Sequence, residues 1–400
     1  MSGVAMRARP ARALTLLTGG FRPFFLAAGI WAAVALALWI IMLNTQLRLP
    51  SRFDPLAWHI HEMLFGFIMA AVAGFLLTAI PNWTRRPPVS GTPLGILAAL
   101  WLLGRISCLI SKWLPVWLAI GADLSFPLLL TAIVARELIA GKDRRNIPMI
   151  APVIVLTIAN LLMHLEANGV AVPTGLGWRL GLGAVFVLVS VIAGRIVPGF
   201  TRSWLSQRHV SVLPAKPGPA DRLALASLHL GIFSWAFFPH LPAAGILLIF
   251  GAVANLWRLS HWRGIHTLAE PLLVILHIGY GWLCVGAGLL GAAVLSPAVP
   301  LSAGIHAMTI GAAGTTILGV MTRATRGHTG RKLTADRTTT LLYGAVVLAA
   351  IFRLIAAFSH IWTMQLLNVA AGFWITAFVL FVLHYGPMLC RPRDQAMLNT

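Results

Sequence analysis

Acidic residues are scarce in this sequence: ten Asp and Glu stand among 400 residues, against thirty Lys and Arg. Charged residues of both signs make up 10% of the chain, where a soluble domain carries roughly 25%, so a soluble globule is excluded. Cysteine is scarcer still. Cys108, Cys284 and Cys390 lie far apart, which rules out a CxxC metal site, a disulfide framework and a CxxCH attachment for covalent haem. No Walker loop, GxSxG, HExxH or Rossmann fingerprint occurs in a suitable context. What fills the chain instead is apolar: 58% of it is hydrophobic. Length alone would suit about two or three soluble domains, but the composition points to one polytopic membrane domain over residues 1–400.

A helix crosses ~30 Å of hydrocarbon with about 20 apolar residues. Twelve such stretches are predicted, near 24–43, 60–80, 93–111, 116–139, 147–167, 178–198, 223–240, 242–259, 269–295, 301–321, 340–359 and 366–388. The expected class is therefore an all-α polytopic membrane protein. Arg7, Arg9 and Arg12 precede the first stretch without the short apolar region and small-residue cleavage site of a signal peptide, so it reads as an uncleaved span. With the N-terminus placed in the cytoplasm, 24 of the 30 Lys and Arg fall on the cytoplasmic side and four on the other, while Arg105 and Arg353 fall within spans. That split satisfies the positive-inside rule and predicts an even number of spans with both termini cytoplasmic. The net charge of +20 is thus topogenic, and nucleic acid is not an expected partner.

The sequence also repeats. Residues 61–86 align without a gap to 306–331 at an offset of 245, matching His61 to His306, Met63 to Met308, Gly66 to Gly311 and Gly74 to Gly319, together with Ala79, Thr84 and Arg86 to Ala324, Thr329 and Arg331. A third copy fits at an offset of 117, with Pro81 on Pro198, Thr84 on Thr201 and Trp178 at the histidine position. These copies are the second, sixth and tenth stretches. The period of four predicts three four-helix units, roughly 20–140, 141–265 and 266–390, around a pseudo-threefold axis. A transporter built of two six-helix halves would repeat every six. Small residues recurring at helix contacts supply the plainer account.

Thirteen histidines are many for so apolar a chain. His61 and His306 open equivalent helices at the outer face, where the helix dipole disfavours imidazolium and leaves the neutral, metal-ligating form. Two such helices facing each other would present two axial ligands to a non-covalent, b-type haem. The alternative is a pair of interfacial hydrogen-bonding histidines. His59 lies about 200° from His61 on a regular helix, so it either precedes the helix or serves another site. Glu62 is placed to orient an imidazole through its second nitrogen, or is merely an acid at a helix start. His277, mid-span, is either functional or bonded to a backbone carbonyl; His229 and His328 carry weaker signals. Arg105 and Arg353 need partners inside a membrane: Asp123 is within reach of Arg105 across the hairpin, and haem propionates would suit either guanidinium.

Several segments resemble the NnrS family of bacterial haem- and copper-containing membrane proteins. They are GGFRPFFLAAGI (19–30), WHIHEMLFGFIMAAVAGFLLTAIPNWTRRPPVSGTPL (58–94), LWLLGRI (100–106), LHIGYGWLCVG (276–286) and GIHAMTIGAAGTTILGVMTRATRGHTGR (304–331). The resemblance covers His59, His61, Glu62, His277, His306, Arg323 and His328. It implies a twelve-span inner-membrane protein binding haem b and copper, linked to nitric oxide metabolism and nitrosative stress, without fixing a reaction. More distantly, the pattern is similar to haem–copper oxidase subunits, whose low-spin haem is held by histidines on helices 2 and 10. Their copper ligands lie on helices 6 and 7, where this chain offers no histidine and only His229, respectively, so an oxidase-like binuclear centre is not expected.

The expected function is accordingly a haem and copper membrane protein in nitric oxide metabolism or protection. His61 and His306 are the expected haem ligands, Arg105 and Arg353 the propionate contacts, and His59 and His277 the first candidates for copper. Lipid and nitric oxide or a related small molecule are the expected partners. Two rivals stand beside this reading: a metal or haem handling protein, and a secondary transporter using histidines as a proton relay.

Overall fold

The computed structural model describes residues 15–142 and 144–392. Arg7, Arg9, Arg12 and Arg393, counted above with the cytoplasmic set, lie outside them. Every predicted stretch is a helix: α1 Phe21–Asn44, α2 Pro55–Thr84, α3 Thr92–Leu109, α4 Val116–Ala140, α5 Ile147–Ala167, α6 Leu176–Ser206, α7 Pro219–Phe237, α8 Pro242–Ser260, α9 Pro271–Leu295, α10 Leu301–His328, α11 Arg337–Phe358 and α12 Thr363–Cys390. No strand occurs among the described residues. Eleven of the helices are long and apolar enough to cross a bilayer. The exception is α7, whose first turn carries Asp221 and Arg222 and whose middle carries His229. Large apolar side chains such as Leu102, Ile106, Leu128 and Val253 face outward along the helices, the surface that lipid covers.

Local chemistry sets the starts. Asp54 accepts from the Leu56 and Ala57 N–H groups ahead of Pro55, opening α2, and Glu270 accepts from Leu272 ahead of Pro271, opening α9. Arg22 donates to the carbonyls of Leu389 and Arg391, so the start of α1 meets the end of α12. That end of the bundle also holds the loops with Arg85, Arg86, Lys142, Arg208 and Arg331, and is its basic end. At the opposite end Arg52 ties the α1–α2 loop to Ser111 and Leu114 beyond α3.

Three helices form the interior. Over their most apolar windows α2 and α6 are 72% buried and α10 67%, against 33–56% for the other eight spans. They touch one another pairwise, and the remaining helices surround them. Interior helices therefore recur every fourth position. The backbone recurs too: π-helical turns begin directly after His61 and directly after His306, covering Glu62–Ile68 and Ala307–Gly314. Such turns concentrate at functional sites because they re-aim side chains out of helical register.

At the basic end Asp336 caps α11 through the Thr339 N–H and contacts Arg326 and His384. Burial opposes its ionisation, but the Thr339 N–H and hydroxyl, His384 and Arg326 outweigh that and hold the carboxyl below the usual carboxylate range. With the folded value depressed, the cap stabilises fully above about pH 4 and is lost as pH falls through the lower folded value. Hydrogen-exchange protection of the first turn of α11 is expected to fall in that acid window, and the Asp336→Asn variant to show no such step.

Candidate metal centre

The opposite end of α2 gathers an unusually polar set of buried side chains. His61 and Glu62 sit at the junction of regular and π-helical turns. Arg105 and Cys108 share a face of α3 at i, i+3, Asp123 comes from α4, and Asn160 and His164 share a face of α5 at i, i+4. All seven are buried. Both Glu62 oxygens lie 2.8 Å from Arg105 Nη1, and Trp31 Nε1 donates to Glu62 Oε2 at 2.8 Å. Arg105 Nη2 meets Asp123 Oδ1, so the expected Arg105–Asp123 pair is present, with Glu62 as a second carboxylate. Asp123 Oδ2 in turn accepts from Asn160 Nδ2 at 2.9 Å and faces His164 Nε2 at 3.0 Å. The Phe53 ring caps both imidazoles, 4.6 Å from His61 and 5.0 Å from His164.

One ligand atom from each of His61, Cys108, Asp123 and His164 can be chosen so that all four lie within 4.8 Å of one another. Two imidazoles, a thiol and a carboxylate form a mixed soft and borderline donor set, suited to copper or zinc rather than to magnesium or calcium. Glu62 Oε1, 3.0 Å from His61 Nδ1, is the carboxylate partner that orients a ligating histidine. The other nitrogen, Nε2, also faces acceptors: Asn160 Oδ1 at 2.9 Å and Asp123 Oδ2 at 3.2 Å. A neutral imidazole has a single N–H to give. The cluster is therefore satisfied by a second ring proton or by a cation among these oxygens. Glu62, Asp123 and a Cys108 thiolate set against Arg105 would leave two negative charges, which a divalent ion cancels; with Cys108 as the thiol, one remains, which a monovalent ion cancels. The residues present thus fit a transition metal.

Close approach of α3 and α4 depends on Gly104, where a Cβ would sit 2.6 Å from Asp123 Oδ1. Gly104→Ala should push Asp123 off Arg105 and destabilise the fold by roughly 1–3 kcal/mol, as overpacking does. Thermal unfolding in detergent measures it, and an unchanged midpoint would show the pair to be dispensable.

A second cluster lies on the other side of the same turn of α2. His59 stacks on Trp39 with ring centroids 4.8 Å apart, and its Nδ1 is buried without a partner. His306 Nδ1 is 2.8 Å from the Ser302 carbonyl, which leaves Nε2 unprotonated. His306 interacts electrostatically with His59, and both do so with Arg353. Arg353 makes no hydrogen bond or ion pair among the described residues. The structure thus groups His306 with His59 and Arg353, and groups His61 with Arg105, Asp123 and His164. His277 belongs to neither set: six residues into α9 from the basic end, its Nδ1 is 3.0 Å from the Leu273 carbonyl and its Nε2 3.4 Å from Thr201 Oγ1. His229 pairs with Ser190 at 2.8 Å.

The model of the NnrS protein family matches residues 15–393. The chain belongs to the NnrS family. None of the curated proteins matches it. NnrS-family membership places the chain in nitric oxide-related processes, and its buried His, Cys, Asp and His set has the donors and spacing that could hold a metal ion. Cys108, Asn160 and His164 were missed as site residues in the sequence. Their only signal was spacing, Cys108 three residues after Arg105 and His164 four after Asn160, and that acquires meaning once α3, α4 and α5 are known to pack around α2.

Proposed function

We propose that this NnrS-family chain is a haem b and copper membrane protein that acts on, or protects against, nitric oxide. The observation that carries the reading is the convergence of His61, Cys108, Asp123 and His164, from four helices, in a buried site whose hydrogen bonds call for a positive charge. These four would hold copper, with Glu62 orienting His61 and Arg105 fixing both carboxylates. For haem, His59 and His306 have the stronger support, since each has a ring nitrogen available and Arg353 stands ready for a propionate. The His61–His306 pair anticipated from the repeat has less support, because His61 Nε2 faces Asn160 and Asp123 in the four-residue cluster, whereas His306 groups with His59 and Arg353. Arg105 is likewise committed to Glu62 and Asp123. When bound, haem iron and copper supply redox-active centres with affinity for nitric oxide. The protein's own part is to hold the ligands, neutralise their charge and keep bulk water out. In this reading the basic end is cytoplasmic, the membrane is the bacterial inner membrane, and the two clusters lie toward the periplasm.

The test is the metal content and the absorption spectrum of the purified full chain, oxidised and dithionite-reduced. Stoichiometric copper and a Soret band with sharp reduced bands are expected, and Cys108→Ser should lower copper without loss of the Soret band. A colourless, metal-free preparation that still moves a solute would replace this reading with the transporter.

A further inference from the structure

A cavity of about 490 Å³ opens between α1, α2, α6 and α10 near the basic end, away from both histidine clusters. Its walls follow the repeat. Ala79, Ile196 and Ala324, related by the offsets of 117 and 245, all line it, and so do Trp83, Phe200 and His328, related by the same offsets. The cavity therefore lies where the three interior helices meet, on the axis expected for the repeat.

One position breaks the equivalence. Arg323 lines the cavity, where the corresponding residue of α2 is Thr78 and that of α6 is Arg195. Arg195 is engaged with Asn146 Oδ1 at 2.8 Å. Arg323, by contrast, makes no hydrogen bond or ion pair among the described residues, and its guanidinium lies 4.1 Å from the Phe200 ring centroid. Glu270, the carboxylate that senses it, is held by the N–H groups of Leu272 and Ala335. Arg323 stands five residues before the end of α10, about 7 Å below it at 1.5 Å per residue. An unpaired guanidinium facing an apolar cavity at that depth is costly and calls for an anionic partner. The wall also carries the rings of Phe25, Phe75, Trp83 and Phe200 among aliphatic side chains such as Ile196, Val320 and Leu333, with Thr78 and Asn82 as its neutral polar residues. The volume is that of a drug- or cofactor-sized ligand site, far larger than a bare inorganic anion needs.

We propose that this cavity is a binding site for an amphipathic anion, its carboxylate or phosphate paired with Arg323 and its apolar body packed against Phe25, Phe75 and Phe200. It uses Arg323 and His328, neither of which enters the metal reading. An inner-leaflet lipid and a soluble aromatic acid share this chemistry, and the experiment separates them. The full chain is purified in mild detergent with equal phosphatidylglycerol and phosphatidylcholine, and retained lipid is counted by native mass spectrometry. Anthracene-9-carboxylate binding is measured in parallel on delipidated protein. Selective retention of phosphatidylglycerol identifies a lipid; carboxylate binding without lipid selectivity identifies a soluble acid. In either case Arg323→Gln should weaken binding about tenfold or more, the worth of a charge-assisted hydrogen bond, and Arg323→Lys less. Ala79→Phe, which fills the cavity and keeps the charge, should also lose it, covering the case where Arg323→Gln fails to fold. Absence of both ligands from the wild-type chain, or binding indifferent to Arg323 and Ala79, overturns the proposal.

Discussion

Asp123→Ala is expected to be the most destabilising single substitution in the bundle. Asp123 accepts from Asn160 and pairs with Arg105, and both His61 and His164 lie within 3.2 Å of it. Truncation leaves Arg105 with Glu62 alone, although its Nε is already buried without an acceptor. Breaking a buried pair by removing one partner typically costs about 3–5 kcal/mol, because the remaining charge stays desolvated. Asp123→Asn keeps the shape and one acceptor and should lose less. Unfolding midpoints in detergent decide the matter: Asp123→Ala within about 1 kcal/mol of wild type would mean that water enters and solvates Arg105, and that the network contributes little.

The second large effect is a division of cofactors between neighbouring histidines. His59→Ala and His306→Ala should each abolish the sharp reduced haem bands. His61→Ala should leave those bands in place and remove copper, as should His164→Ala. Glu62→Gln, which takes away the carboxylate that orients His61 and pairs with Arg105, should weaken copper by about 10–100-fold, as loss of an orienting carboxylate does. A colourless His61→Ala protein with normal copper would instead restore His61 and His306 as the axial pair. These outcomes separate two residues spaced by one, which a simple count of histidines cannot do.

Topology was legible because it depends on composition along the chain. Twenty apolar residues must become a helix in lipid whatever their neighbours are, and every stretch read that way is helical here, with α7 falling short because Asp221, Arg222 and His229 interrupt it. A period of four was expected from His61 and His306, Gly66 and Gly311, and Ala79 and Ala324, and the three most buried spans stand at every fourth position. The site was only half legible. His61, Glu62 and Arg105 stood out as polar residues in apolar surroundings, and Asp123 as the partner of Arg105. Cys108 and His164 did not, since a lone thiol and a histidine near a span end look ordinary until four helices bring them together.

The sequence by itself determined the helices, their alternation and the end that carries the positive charge, because each follows from the local cost of placing polar or charged groups in hydrocarbon. Tertiary structure decided which histidines share a site. His59 and His61 diverge from a single turn, one toward Trp39, His306 and Arg353 and the other toward Asp123 and His164. The direction each ring takes is set by the neighbours that pack around that turn, and those neighbours come from parts of the chain about a hundred or more residues away as well as from close by.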